Sequence, residues 1–367
     1  ECCSRYDSID EFIKVCYYTT NIVLQESLVG NHKFLNRVCG NPLIYKTMKA
    51  VITTIAHYLP QRVVNNTEIS NRYPKVGTPA DIFQKTGIME RRYSNDLTTG
   101  EMAAESVKNL LSKAGVKPSE IDLVLVGTLS PDHFYPSTAV TVIHKVEAVN
   151  AWGYDVVAAC PSFLFAIQQA VTMIEIGRAK KVVVCGADRM SKTINAFDYK
   201  TGVLFGDAAA SVLIEAKSDE ELGINNCFSK VVADDLEDVY FRTPFNCENW
   251  SDEKFELDGK KVYRHGVDLT SDFIGEYLKK YSLTLEDFKF IVPHQANIRM
   301  LKEIAVRLNV SFDKFLTNIH NVGNTAGASV PLCLSQKVDE GIVKKGDRLL
   351  LVSFGAGYTL SITDLFF

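Results

Sequence analysis

Cys160 ends an apolar run, Tyr154 to Ala159, and is followed at once by Pro161-Ser162 and a helical pattern from Phe163 to Ile176. A β-rich run that breaks into a helix puts the cysteine on the turn, with its sulfur near the helix N-terminus. Pro161 suits the first helical position, where no backbone N–H is needed. The partial positive charge of a helix start favours a thiolate over a thiol. Such a sulfur can attack a carbonyl carbon. A free cysteine buried as a small hydrophobe fits the same run, and this segment alone does not separate the two.

Two distant segments bear on the choice. Ile291-Val292-Pro293-His294-Gln295-Ala296-Asn297 is another apolar run that stops at Pro-His and opens onto a helix. Asn321-Val322-Gly323-Asn324-Thr325-Ala326-Gly327-Ala328-Ser329 is a small-residue loop between helical patterns. A Cys, a His and an Asn on separate strand or loop ends suit nucleophilic thiol chemistry. The sulfur attacks, and the His and Asn offer polarised N–H groups to a developing oxyanion.

The set Ala159-Cys160, His294-Gln295-Ala296-Asn297 and Gly323-Asn324-Thr325 resembles the β-ketoacyl-acyl-carrier-protein synthase III family of thiolase-fold condensing enzymes. Further matches follow in order: Lys85-Thr86-Gly87-Ile88 with Glu90-Arg91-Arg92, Phe205-Gly206-Asp207-Ala208-Ala209, and Ser353-Phe354-Gly355-Ala356-Gly357. They span about Met48 to Phe367.

The resemblance implies that Cys160 takes an acyl group from a thioester, with the backbone N–H groups of Cys160 and Ala356 holding the oxyanion. His294 and Asn324 would then stabilise the enolate left when a malonyl-type thioester loses CO2. That enolate attacks the acyl-Cys and releases a β-ketoacyl thioester. Tyr135 and Phe205 fall to the acyl pocket; Arg299, Lys85 and Lys192 fall to carrier docking. Acyl-CoA and acyl-carrier protein are the implied partners, in a homodimer whose Tyr135 loop reaches the partner's pocket. No cofactor is implied beyond the thioester itself.

The composition suits a globular enzyme: 367 residues, 46% hydrophobic and 23% charged. A net charge of −4 gives no general attraction to nucleic acid or anionic membrane. No run of 18 apolar residues suggests a membrane helix. Nine scattered cysteines without CxxC spacing read as reduced thiols in a cytoplasmic protein, not as a disulfide frame or zinc site. Residues 1–47 look foreign to the rest, and Met48-Lys49-Ala50-Val51-Ile52 reads as a natural start. That makes the leading stretch a mis-assigned upstream start, a cloning remnant or an accessory segment.

From Met48 onward strands and helices alternate, which argues for an α/β layered fold. The chain also repeats itself. Ala103 to Leu111, leading to the strand Leu123 to Val126, is echoed by Asp272 to Leu278, leading to Phe288 to Val292. Lys180 to Gly186 is echoed by Gly346 to Val352. The offset is about 165 residues in both cases, which suggests two halves of one architecture. The resemblance implies the thiolase fold, two βαβαβαββ halves in five layers, α-β-α-β-α. The halves would be 48–218 with the nucleophile and 219–367 with His and Asn, divided at the charged turn Ser218-Asp219-Glu220-Glu221.

Other residues take supporting readings. His320 shapes the Asn324 loop, Asn297 supports the His294 loop, and Asp207 holds an Asx-type turn. His57, His144 and His265 read as surface or structural, and His133 precedes the Phe134-Tyr135-Pro136-Ser137 loop that the resemblance sends to the partner's acyl pocket.

The family pattern has a Trp, stacking on the CoA adenine, where this chain has Asp81. Its usual arginines are Lys85 and Lys192, which keep charge but lose planar stacking and bidentate contact. Pro161-Ser162-Phe163 and the missing Trp-Gly after Thr359 also depart from it. Together these suggest a divergent, secondary-metabolic member loaded by a carrier protein or a larger acyl group. The alternatives are acyl transfer without decarboxylation, joining of two acyl chains as in dialkylresorcinol formation, or a weakly active partner subunit.

Overall fold

The structure is a computed structural model that describes residues 48–73, 77–194, 198–218, 222–233, 237–242 and 255–367. Met48–Phe367 forms one compact unit. Residues 1–47, with four of the nine cysteines, and the turn at 219–221 lie outside the described residues.

The unit opens with strand β1 (Met48–Tyr58), the short strand β2 (Arg62–Asn65), helices α1 (Asn66–Arg72) and α2 (Pro79–Thr86), and strand β3 (Glu90–Tyr93). Then come α3 (Thr99–Ala114), β4 (Leu123–Gly127), α4 (Thr138–Val146), β5 (Trp152–Val156), α5 (Ser162–Glu175), β6 (Lys181–Arg189) and β7 (Asp207–Ser218). The chain then crosses to β8 (Gly223–Val231). The two-residue strands β9 (Val239–Tyr240) and β10 (Glu256–Leu257) follow, then α6 (Gly259–Tyr281), β11 (Phe290–Pro293), α7 (Ile298–Arg307), α8 (Ser329–Asp339), β12 (Arg348–Gly355) and β13 (Thr359–Phe366).

The two main sheets have the same plan. The first runs β1-β7-β6-β4-β5 and the second β8-β13-β12-β11. In each, an inner pair is parallel (β4 with β6, β11 with β12) and the last two strands return antiparallel. The counterpart of β5 in the second sheet shrinks to a single bridge between Ile291 and Phe315.

Alternation along each strand sets the layers. On β6, Val182 and Val184 face the centre with Phe163, Ile167 and Ala170 of α5. Val183 and Cys185 face outward to Met102, Val107 and Leu110 of α3. On β12, Leu349 and Leu351 share the central layer with Val330 and Leu334 of α8. Leu350 and Val352 pack outward on Phe273 and Ile274 of α6 and Leu301 and Ile304 of α7. The order is therefore helix, sheet, helix, sheet, helix. Helix α5 buries Phe163, Leu164, Ala166, Ile167, Ala170 and Ile174 and leaves Gln169, Thr172 and Glu175 exposed, and each fully buried Leu, Ile or Phe contributes roughly 1.5–3 kcal/mol. Helix α3 keeps one polar face and is fixed by a capping box between Thr98 and Glu101 and a left-handed Gly115.

Candidate active site

The turn that carries Cys160 is built from local strain and a close approach. Ala159 sits at φ +53°, a left-handed conformation uncommon for a residue with a Cβ. The Ser162 hydroxyl holds it there, accepting from Ala158 N–H at 2.8 Å and donating to Ala159 C=O at 2.6 Å. Gly355, at the end of β12, passes so close that a Cβ on it would fall 2.7 Å from the Cys160 nitrogen and 2.9 Å from the Ala159 Cβ. Only glycine permits that approach. It brings the following residue, Ala356, beside the nucleophile turn.

His294 ends β11 as the sequence suggested. Its N–H donates to Val352 C=O at 2.8 Å, and its ring lies edge-on to Phe354, one residue before Gly355, with centroids 5.5 Å apart. The side chain is buried, and its Nδ1 has no hydrogen-bond partner among the described residues. Burial lowers its pKa to about 3, so the imidazole is neutral. Gln295 anchors this loop: its amide donates to Pro293 and Leu316 carbonyls at 2.8 and 3.1 Å and its carbonyl accepts from Asn318 N–H at 3.2 Å. The sequence pattern assigned Gln295 no separate role. Asn297 donates to Lys85 C=O at 3.1 Å, which is the loop support expected of it.

Asn324 is joined by a parallel bridge to Phe205. Its Oδ1 accepts from Ala326 N–H at 2.9 Å, which fixes the amide with its NH2 as the donor end. Phe205 and Ala326 belong to an apolar cluster with Met190 and Ile194, and Cys160 packs against that cluster together with Leu129 and Phe255. Strand end, loop and helix start therefore converge, with Gly355, Phe354 and Phe205 as the links.

One expectation is corrected. The thiol is not biased toward thiolate. The apolar surroundings push Cys160 up to about 12, and the nearby Asp188 carboxylate adds to this. The helix start gives little relief, because α5 begins two residues later and its first N–H, of Ser162, is taken by Ala159 C=O at 3.0 Å. Alkylation of Cys160 by iodoacetamide in the resting protein is accordingly expected to be slow near neutral pH. It should rise about tenfold per pH unit through pH 10. A plateau near pH 7 would contradict this.

Asp188 is a residue the sequence pattern did not single out. It is fully buried at the end of β6. Its Oδ1 accepts from the Thr128 hydroxyl, Leu129 N–H, Ser130 N–H and the Ser130 hydroxyl at 2.7–3.0 Å, and Oδ2 accepts from Gly327 N–H at 2.7 Å. Burial pushes it up to about 6 against the pull of these donors. It ties the Asn324 loop to the first half of the chain. A carboxylate that terminates the apolar run Val182 to Ala187 was the available signal.

The remaining residues fall around this centre. Lys85, Lys192 and Arg299 are exposed; Lys85 Nζ lies 5.9 Å from the Tyr199 ring centre and the Arg299 guanidinium 5.9 Å from that of Tyr263. Tyr135 is 85% exposed. His320 Nδ1 meets Gly87 C=O, and its own carbonyl accepts from Met89 N–H at 2.9 Å, bracing the Asn324 segment against α2. Asp207 does not make a local turn. Its carboxylate binds Ser94 N–H and the Ser191 N–H and hydroxyl at 2.6–2.8 Å. Asp81 acts locally. It closes the capping box of α2, accepting from Thr78 N–H and hydroxyl at 2.8 and 2.7 Å, and these bonds hold its carboxyl low. Among the described residues no three His, Cys, Asp or Glu side chains gather as a metal site.

The family described as 3-oxoacyl-[acyl-carrier-protein] synthase III matches residues 154–231, and its C-terminal part matches residues 278–363. The β-ketoacyl-[acyl-carrier-protein] synthase III of Chlorobaculum tepidum is 37% identical over 326 residues, 85% of this chain and 97% of that one. The chain belongs to the β-ketoacyl-acyl-carrier-protein synthase III family. The synthase of the same name from Clostridium novyi is 37% identical over 318 residues, 84% of this chain and 96% of its own. The solved synthase III of Aquifex aeolicus superposes with a TM-score of 0.79 at 30% identity, covering 87% of this chain and all of that one. The priming β-ketosynthase of the R1128 polyketide pathway gives 0.81 at 31% identity, covering 87% and 96%. The fold is the thiolase fold of this synthase III family, and the protein is an acyltransferase, a condensing enzyme.

Proposed function

We propose that Cys160 carries the acyl group and that His294 and Asn324 hold the malonyl-type thioester while it loses CO2. The reading is supported by three contacts: Gly355 against the Cys160 turn, the adjacent Phe354 edge-on to the His294 ring, and Phe205 bridged to Asn324.

In the first step the Cys160 sulfur attacks the donor thioester carbon. The new C–S bond forms, the old one breaks, and the thiol proton leaves with the departing thiol. The N–H groups of Cys160 and Ala356 are the oxyanion donors; the methyl of Ala356 leaves its backbone donor intact. In the second step the carboxylate C–C bond of the malonyl-type thioester breaks. Its electron pair becomes an enolate, whose oxygen takes N–H donors from the neutral His294 and the Asn324 amide. The enolate carbon bonds to the acyl carbon, and the Cys160 thiolate leaves and takes up a proton. A donor that is neutral and buried stabilises the enolate without having to shed its own hydration at that moment.

The relatives' names carry an acyl-carrier protein, and the exposed cations Lys85, Lys192 and Arg299 suit an acidic carrier. With Asp81 engaged in its capping box, that position offers no stacking face to an adenine. This favours loading from a carrier protein or with a larger acyl group, its chain lying against Phe205 and Phe255. Among the described residues strand β5 is an edge of its sheet, with Trp152, Val157 and, in the loop before α4, Phe134 and Tyr135 exposed. A homodimer through this edge would put Tyr135 over the partner's pocket, and light scattering showing a monomer at micromolar concentration would remove that role. The four described cysteines are free thiols, as suits the cytoplasm. No helix among the described residues is long and apolar enough to cross a membrane.

The assay supplies acyl-CoA or acyl-carrier protein with a malonyl thioester and measures CO2 and β-ketoacyl thioester together. Equal amounts of both are expected. Acyl transfer with no CO2 from any malonyl donor would reject the decarboxylating reading.

A further inference from the structure

Beside the turn Ala356–Tyr358 lies a side-chain network, buried at Tyr358 and Asp238 and open to solvent at Lys261 and Arg264, that the condensation chemistry does not use. Tyr358 is 3% exposed, and its hydroxyl donates to Asp238 Oδ2 at 2.8 Å. His265 Nδ1 lies 3.1 Å from the same carboxylate oxygen and 3.2 Å from the Tyr358 oxygen, with its ring edge-on to the tyrosine. Arg264 Nη2 lies 3.3 Å from His265 Nε2. An arginine can only donate, so Nε2 is the acceptor and Nδ1 carries the proton toward Asp238. Lys261 Nζ reaches Asp238 Oδ1 at 3.0 Å. Burial opposes the charge on Asp238, but the bonds from Lys261, Tyr358 and His265 outweigh it and hold the carboxyl low.

The network joins three elements. Asp238 precedes β9, His265 and Lys261 lie on α6, and Tyr358 closes the turn that starts with Ala356. Tyr358 is also doubly bonded through its backbone, donating to Val232 C=O and accepting from Val232 N–H at 2.6 and 2.8 Å. Between Ala356 and Tyr358 stands Gly357 at φ +111°, a conformation with no side chain to stiffen it. The direction of the Ala356 N–H therefore depends on how firmly Tyr358 is held on the far side of that glycine.

We infer that Asp238, His265 and Tyr358 are positioning residues that aim the Ala356 N–H at the oxyanion formed on the acyl carbon. They touch neither substrate nor sulfur and act through the turn. The inference rests on the reading of Cys160 as the acylated residue.

The test measures steady-state rates and the rate of acyl-adduct formation on Cys160 for the full chain. Tyr358→Phe keeps the ring and removes the bond to Asp238. It is expected to lower kcat and the acylation rate by about tenfold with KM within twofold, a fraction of the ~10²–10³ lost when a whole oxyanion donor is removed. His265→Asn can still present a donor near the Nδ1 position and should retain most of the rate, whereas His265→Leu should match Tyr358→Phe. Should Tyr358→Phe fail to fold, the two His265 variants make the same comparison. Wild-type acylation rates in both Tyr358→Phe and His265→Leu would overturn the positioning role while leaving Cys160 in place. An unacylated wild type would overturn the reading of Cys160 itself.

Discussion

Cys160→Ala is expected to lose condensing activity by at least about 10⁴-fold and to melt within a few degrees of the wild type. Removing a covalent nucleophile that acts with its partners as one unit has effects of this size. The small stability cost follows from the site. The cysteine packs only partly against the Met190, Ile194, Phe205 and Ala326 cluster, and alanine keeps the Cβ that the strained turn already accommodates. The backbone donors and the Gly355 approach are untouched, so substrate can still bind. Residual turnover above about one hundredth of wild type would mean that another group forms the acyl intermediate.

Asn324→Ala and His294→Ala should each lower condensation by about 10²–10³, the usual loss for one donor to a developing oxyanion. Acyl transfer onto Cys160 should survive in both, since these side chains are assigned to the malonyl thioester. Asn324→Asp is the sharper variant. It preserves shape but replaces the NH2 that faces the enolate with a carboxylate oxygen, so it should be at least as inactive as the alanine. Single-turnover acylation measured beside product formation separates the two steps; equal losses in both would place Asn324 in general folding of the site instead.

His294 also leaves a signature in stability. Its pKa falls from 6.5 in the unfolded chain to about 3 in the native site. Between those values the unfolded chain binds the extra proton and the native one does not. The contribution is present above pH 6.5 and is lost as pH falls toward 3, by about 1.4 kcal/mol per pH unit. Urea unfolding at pH 6.5 and 4.5 should show this slope in the wild type and lose that share of it in His294→Gln.

Much of the molecule was legible because it is written in short-range signals. The alternation of strands and helices from Met48 onward and the repeat offset of about 165 residues pointed to paired layers. Cys160, His294 and Asn324 stood out as reactive types at the ends of apolar runs or in a small-residue loop. What escaped depends on distant partners. The high pKa of Cys160 comes from burial beside Met190, Ile194 and Phe205, which a helix-start argument cannot weigh. Asp188 acquires its role from Thr128, Ser130 and Gly327, segments on both sides of the chain's midpoint. Tyr358, Asp238 and His265 meet only once β9, α6 and the Ala356 turn are assembled. Asp81 is different: Thr78-Pro79-Ala80-Asp81 reads as a capping box in the sequence itself, and its capping role was available without any structure. The third strand of the second half could not be read, because one bridge at Phe315 leaves no periodicity.

The most direct test of the acyl-enzyme mechanism is intact-protein mass spectrometry after incubation with a panel of acyl-CoAs and acyl-carrier proteins, with Cys160→Ala alongside. The mechanism predicts one acyl mass added to the wild type, none to the variant, and loss of the adduct when a malonyl thioester is supplied. No adduct with any donor, or the same adduct on Cys160→Ala, would contradict it.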